Sequence, residues 1–144
     1  MGIFEAINKK TGYSEENMIK AFDEFLPAIG SQALCSLGVS FKTKALFKSK
    51  IIASGFAAIT NTNLLAAYTL MPVKGVGLYD YNSPKKLLIK EHIGNKVVEA
   101  KLFNIRSQEF EDLILEIAPK IPGFPNQQSD MEYFISLLES HVTQ

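Results

Sequence analysis

Neither sign of charge is in excess in this chain: Lys and Arg together number 15, and so do Asp and Glu. Domains that grip duplex nucleic acid usually carry a basic surplus, so no nucleic-acid partner is expected. Arg106 is the only arginine, which removes the bidentate forks that read bases and phosphates. Cys35 is the only cysteine. A lone thiol closes no internal disulfide, and a reducing, cytoplasmic setting is expected. His92 and His141 are the only histidines and lie far apart in sequence. A zinc site needs three or four ligands, so no metal is expected. Gly75-Val-Gly77 lacks the last glycine of a dinucleotide fingerprint. No Walker sequence or Gly-x-Ser-x-Gly elbow occurs either. No cofactor, no catalytic residue and no enzymatic activity are expected. The first residues have no basic region ahead of an apolar core, so they do not read as a secretory signal. Ala6 stands where a myristoylation motif wants Ser or Thr.

Charge is absent altogether from Ile51 to Leu70. The polar residues of that run cluster at its centre, Thr60-Asn61-Thr62-Asn63, as in two buried strands joined by a tight turn. Periodicity alone does not separate such runs from helix. The length also suits a membrane span, and Lys48, Lys50 and Lys74 flank it. A lone span, however, leaves two asparagine amides at mid-bilayer without partners. The hairpin reading is therefore preferred.

The 144 residues, 47% of them apolar, suffice for one domain with one core. Ser14 is an N-cap candidate, and Met18, Ile19, Phe22, Phe25, Leu26 and Ile29 share a helical face up to the break at Pro27 and Gly30. Residues 1–30 are read as a helical extension and 31–144 as the body of the domain. From Ala33 the period becomes two: Ala33, Cys35, Leu37, Val39 and Phe41 point one way. Cys35 falls on the apolar face, as a buried and unreactive thiol. Strands are expected at about 51–60, 63–71, 76–81, 86–91 and 96–104, the last two turning at Gly94-Asn95. Residues 108–117 suit either helix or strand, and the preceding meander favours strand. After the stiff connection Pro119–Pro125, a helix is expected from Ser129 with Glu132 completing a capping box. Met131, Phe134, Ile135, Leu138 and Val142 form its apolar stripe.

Three features together resemble the pleckstrin-homology-like (PH-like) barrel in the version found in small bacterial proteins. They are seven strands followed by one helix over Ser31–Val142, the run Gly55-Phe-Ala-Ala-Ile-Thr-Asn-Thr-Asn-Leu-Leu, and Pro122-Gly-Phe-Pro-Asn-Gln ahead of Met131-Glu-Tyr-Phe-Ile. The resemblance implies a mainly β fold: about seven antiparallel strands in two near-orthogonal sheets, closed by a C-terminal helix, with an extra N-terminal helix outside the family core. It implies a filled interior, and adaptors that bind through loops and exposed edges. A protein partner or self-association is thus implied.

One patch stands out as a candidate ligand site: Lys42, Lys44, Lys48 and Lys50. In the implied fold they surround the first strand-to-strand loop, where relatives bind lipid headgroups. Each lysine near an anionic membrane contributes about 1 kcal/mol, so four contribute roughly 4 kcal/mol at most. Salt screens much of that, which makes weak contact with an anionic membrane surface the alternative to protein binding. Glu109, Glu111, Asp112 and Glu116 are read as the solvated face of the last strand rather than as an acid–base pair. The leading reading is a non-catalytic interaction module. A peripheral membrane or phosphate binder is second, and an enzyme of unrecognised type third.

Overall fold

The computed structural model describes residues 14, 16, 18, 22, 33–44, 49–70 and 73–143. Among the described residues seven strands are followed by a C-terminal helix: β1 (Cys35–Lys44), β2 (Ser49–Ile59), β3 (Asn63–Leu70), β4 (Val73–Asp80), β5 (Lys86–His92), β6 (Asn95–Asn104), β7 (Glu109–Ile117) and α1 (Gln127–Glu139). All pairings are antiparallel, and the sheet order is β4-β3-β2-β1-β7-β6-β5. Two short seams turn this sheet into a barrel. β1 meets β7 from Ser40 opposite Glu116 to Lys42 opposite Ile114. β4 meets β6 at Tyr79 opposite Asn104 and Asp80 opposite Phe103. Six strands form the ring, and β5 hangs on the outer side of β6. Of the residues 108–117 that suited either structure, Gln108 belongs to the turn and 109–117 are strand, because β7 pairs along its whole length with β6.

The uncharged run is the β2–β3 hairpin, and its lack of alternation has a physical cause. Ala57, Ile59, Leu64 and Ala66 face the barrel interior with Leu37, Val39, Val98, Leu102, Leu115 and Ile117. Phe56, Ala58, Leu65 and Ala67 point to the opposite face and belong to a second apolar cluster. Met18, Phe22 and Phe124 complete that outer cluster, with Phe22 edge-on to Phe56 at 6.5 Å between ring centroids. A sheet buried on both faces needs apolar side chains at every position. The expected N-terminal helix otherwise lies outside the described residues, as does the rest of 1–30 apart from Ser14 and Glu16.

The turn of this hairpin is held from several sides. Thr60 Oγ1 accepts from the backbone N–H of Asn63 at 3.0 Å, and Thr60 N–H donates to Asn63 O at 2.8 Å. Tyr81, buried in the core, donates its hydroxyl to Thr60 O at 2.6 Å. Gly55 does not break the element as its residue type suggests, but sits inside β2 between Val39 and Tyr68. Gly77 is required for a different reason: a Cβ there would lie 2.5 Å from the Tyr79 ring.

α1 begins at Gln127, two residues before the expected Ser129, and no side chain caps its N-cap residue Asn126. The Ser129–Glu132 capping box does not form; Ser129 Oγ donates instead to Asn126 O at 3.0 Å. The earlier start places Gln127 one turn below Met131 on the buried stripe with Phe134, Ile135 and Leu138. Val142 lies beyond the helix and is exposed.

Gln127 is 2% exposed and works as a missing strand residue. β7 ends at Ile117, opposite Lys96 of β6, so the ladder on β1 stops at Ser40. The next outward-facing backbone groups of β1 belong to Gly38. Gly38 N–H donates to Gln127 Oε1 at 3.0 Å, and Gln127 Nε2 donates to Gly38 O at 2.8 Å. The other Nε2 hydrogen reaches Ala118 O at 3.0 Å. One side-chain amide thus extends the ladder and satisfies two buried backbone groups of Gly38 and a half-buried one of Ala118.

The β5–β6 turn also departs from expectation. His92 pairs with Asn95, so the loop residues are Ile93 and Gly94, with φ of 50° and 82°. Positive φ at both central positions is the hairpin type that matches strand twist, and it favours Asn-Gly. Here a β-branched residue occupies the first position, where its side chain crowds the backbone.

Two stability changes follow. Gln127→Leu leaves Gly38 and Ala118 unsatisfied and lowers stability by about 3 kcal/mol or more, at roughly 1–3 kcal/mol per orphaned group, as read from urea unfolding. Ile93→Asn relieves the turn and raises stability by about 1 kcal/mol, visible as a higher unfolding temperature.

Candidate functional site

The lysine segment is divided by the strand boundaries. Lys42 and Lys44 lie in β1 and Lys50 in β2, which places them beside a shorter connection than expected, residues 45–48. Lys48 lies outside the described residues. A bulge between Phe41 and Lys42 inserts Ile52 into the facing strand and re-aims this end of the ladder. Lys42 does not project from the loop. Its ammonium lies 3.0 Å from Glu116 Oε1, and the two side chains are 9% and 11% exposed.

Glu116 is the centre of a small polar cluster on the outer face of β7. Besides Lys42, it bonds His92 Nδ1 at 3.1 Å through Oε1 and accepts from Asn95 Nδ2 at 3.2 Å through Oε2. Burial pushes its carboxyl up, but the hydrogen bonds from Lys42, Asn95 and His92 and the Lys42 charge outweigh this and hold it below the ordinary 4.5. The cluster ties β1, β7 and both arms of the β5–β6 hairpin together.

Glu111 is a second hub. Its carboxylate accepts from Asn104 Nδ2 at 3.0 and 3.2 Å, from Ser107 Oγ at 2.9 Å and from the Tyr79 hydroxyl at 3.4 Å. Asn104 is buried, and its Oδ1 accepts from the backbone N–H of Arg106 at 2.9 Å. This network pins the β6–β7 turn to the β4–β6 seam. The acidic cluster is therefore less solvated than its residue types suggest. It is also split: Glu111 and Glu116 are an odd number of residues apart on one strand and point to opposite faces. They do not form a carboxylate pair.

The remaining chemistry-bearing side chains are placed apart. His141 stacks edge-on against Tyr81 at 5.2 Å, on a different element from His92. Tyr79 and Tyr81 are both core residues. Cys35 is buried, with Sγ 3.7 Å from Asp130 O, and burial followed by the Asp130 charge pushes its pKa up to about 12. A thiol so protonated is a poor nucleophile, in line with the expected inert role. Among the described residues no group of three or more His, Cys, Asp or Glu converges as a metal site, and no helix is long and apolar enough to cross a membrane.

Two surface features were not read from the sequence. The first is the outer edge of β5. Among the described residues β5 pairs only with β6. At its start Leu87 N–H donates to Thr143 Oγ1 at 2.9 Å, and Thr143 N–H donates to Leu87 O at 2.8 Å. Leu87 therefore turns its backbone groups away from β6. The alternation of the ladder turns those of Ile89 and Glu91 the same way. The second is an open groove of about 430 Å³ on the connection from β7 to α1, walled by Pro119, Ile121, Pro122, Phe124 and Pro125. Lys120 and Gln128 line it as well, so its surface is mixed polar and apolar. The run of prolines was legible; the groove it builds needs the Ile121–Phe124 bridge and the positive φ of Gly123.

A closed six-strand antiparallel barrel with a C-terminal helix fits the PH-like barrel fold. No family model matches the chain, and no curated protein does. Among solved structures it is similar to the crystal structure of the C-terminal domain of an unknown protein from Leishmania infantum. That similarity covers 83% of this chain and 95% of the other, at 14% identity and a TM-score of 0.49.

The pH dependence of stability follows from Glu116. Its pKa is lower in the fold than in the unfolded chain, so its contribution is complete above about pH 4.5 and is lost as pH falls through the folded value. Glu116→Gln leaves the Lys42 charge without its carboxylate and costs about 1–3 kcal/mol at neutral pH. Urea midpoints measured from neutral to acid pH are expected to show the gap between the two proteins closing below pH 4.5.

Proposed function

We propose that this domain is a non-catalytic interaction module of the PH-like type, of the kind found in small bacterial proteins, and that it works in the cytoplasm. The observation that carries this reading is the outer edge of β5. It offers a row of backbone donors and acceptors at Ile89 and Glu91, beside the segment that follows α1. An extended stretch of a protein partner adds to such an edge as a further strand, gaining main-chain hydrogen bonds and register. The filled barrel interior supports the same reading, since Leu37, Leu64, Leu87, Leu102, Leu115, Phe134 and Leu138 occupy the space a ligand cavity would need. The buried, protonated Cys35 supports a reducing compartment. The lysine segment supports membrane contact less, because Lys42 is already committed to Glu116.

A random-peptide display library panned on the protein tests this reading. Selected peptides are expected to protect the Ile89 and Glu91 amides from hydrogen exchange. Glu91→Pro deletes an outward N–H and keeps the ladder to β6, so it is expected to weaken those peptides at least about tenfold, or 1.4 kcal/mol. A library that yields no binder, or binders that protect other strands and tolerate Glu91→Pro, rules the edge out.

A further inference from the structure

Thr143 spends its backbone donor and its hydroxyl on a single residue. Its N–H donates to Leu87 O at 2.8 Å, its hydroxyl donates to the same oxygen at 3.2 Å, and Oγ1 accepts from Leu87 N–H at 2.9 Å. The hydroxyl oxygen stands in for the carbonyl that a paired strand would present. One residue of the segment after α1 thus imitates an added strand at the first outward position of β5. The segment arrives there through the turn that closes α1, where His141 N–H donates to Leu138 O at 2.9 Å and Val142 N–H to Glu139 O at 3.3 Å. His141 is packed edge-on against Tyr81. Between it and Thr143, Val142 is 41% exposed, so little apolar burial holds Thr143 down and its hydrogen bonds are the main fastening.

We propose that Thr143 is a displaceable latch that regulates access to the β5 edge, an inference that rests on the edge reading above. With Thr143 in place, an incoming extended peptide has the outward groups of Ile89 and Glu91 but not those of Leu87. A peptide that lifts Thr143 away gains Leu87 as a further hydrogen-bonded position. The bonds it makes there are of the same kind as the bonds it breaks, so the exchange is close to balanced. The latch therefore lowers the apparent affinity in proportion to the fraction of molecules in which it is open. It also favours partners long enough to replace the bonds that Thr143 gives up.

Panning the same display library on the wild-type chain and on Thr143→Val tests the latch. Valine keeps the shape of the side chain and removes the hydroxyl, so Leu87 N–H loses its acceptor. Peptides that reach Leu87 are expected to bind Thr143→Val at least about tenfold more tightly than wild type. Thr143→Ser keeps the hydroxyl and is expected to bind them as wild type does. In the wild-type complex the Thr143 amide is expected to exchange its hydrogen faster than in the free protein, while the Leu87 amide stays protected. Edge-binding peptides, recognised by their loss of affinity for Glu91→Pro, overturn the latch and leave the edge reading standing if they bind Thr143→Val no more tightly than wild type. A Thr143 amide that stays protected in their complexes does the same. A library with no edge binder for either chain rejects the edge reading and the latch together.

Discussion

The contact between one buried amide and one glycine governs how this barrel closes. β7 is too short to cover β1, and the strands separate beyond Ser40 and Glu116. An exposed stretch of β1 backbone at that point would either take up water or recruit another strand. Gln127 prevents both. It accepts from Gly38 N–H, donates to Gly38 O, and with its remaining hydrogen holds Ala118, the first residue after β7. The helix start, the path of the connection and the seat of the apolar stripe on the barrel mouth all follow from where that amide must lie. A polar residue in the core is ordinarily costly. This one is fully satisfied, and it sets the register of α1 against β1 in a way that apolar contacts, which tolerate sliding, do not.

The second constraint is that, among the described residues, β2 and β3 have no wet face along Phe56–Ile59 and Leu64–Ala67. The barrel core takes one row of side chains and the cluster around Phe22, Phe56 and Phe124 takes the other. The β5–β7 sheet is different. Its outer face carries Lys86, Lys90, Glu99, Lys101 and Glu116, with Glu99 bridging Lys86 at 3.4 Å and Lys90 at 3.3 Å. The centre of the β2–β3 hairpin is thus covered on both faces by its own chain, and the β5–β7 sheet faces solvent on one side. The β5–β6 hairpin, with the exposed Ile93 at its tip, belongs to the solvent-facing side.

Polar groups that looked like candidates for chemistry turn out to hold elements together. Glu116 joins four strands, Glu111 closes a turn onto a seam, and Lys42 is consumed by the first of these. The donors around Glu116 hold its carboxyl below the ordinary range, which suits a fastening. The functional reading accordingly moves from side-chain clusters to edges and tips.

Much of the architecture was legible in the amino-acid order. The uncharged run with its polar centre marks the β2–β3 hairpin, the two-residue period from Ala33 marks β1 and its inward face, and the spacing of Met131, Phe134, Ile135 and Leu138 marks α1. These are local signals, created by the burial that neighbouring residues share. The same order left one trace of the amide contact, a polar Gln127 on the apolar stripe. That trace has no meaning without its partner. Gly38 is 89 residues from Gln127, and Lys42 is 74 from Glu116. Composition and periodicity thus determined the elements and the side of each that is buried. The seams, the Glu116 hub and the contact of Gln127 with Gly38 were decided only by the tertiary structure, because each joins groups that lie far apart along the chain and meet only when the barrel closes.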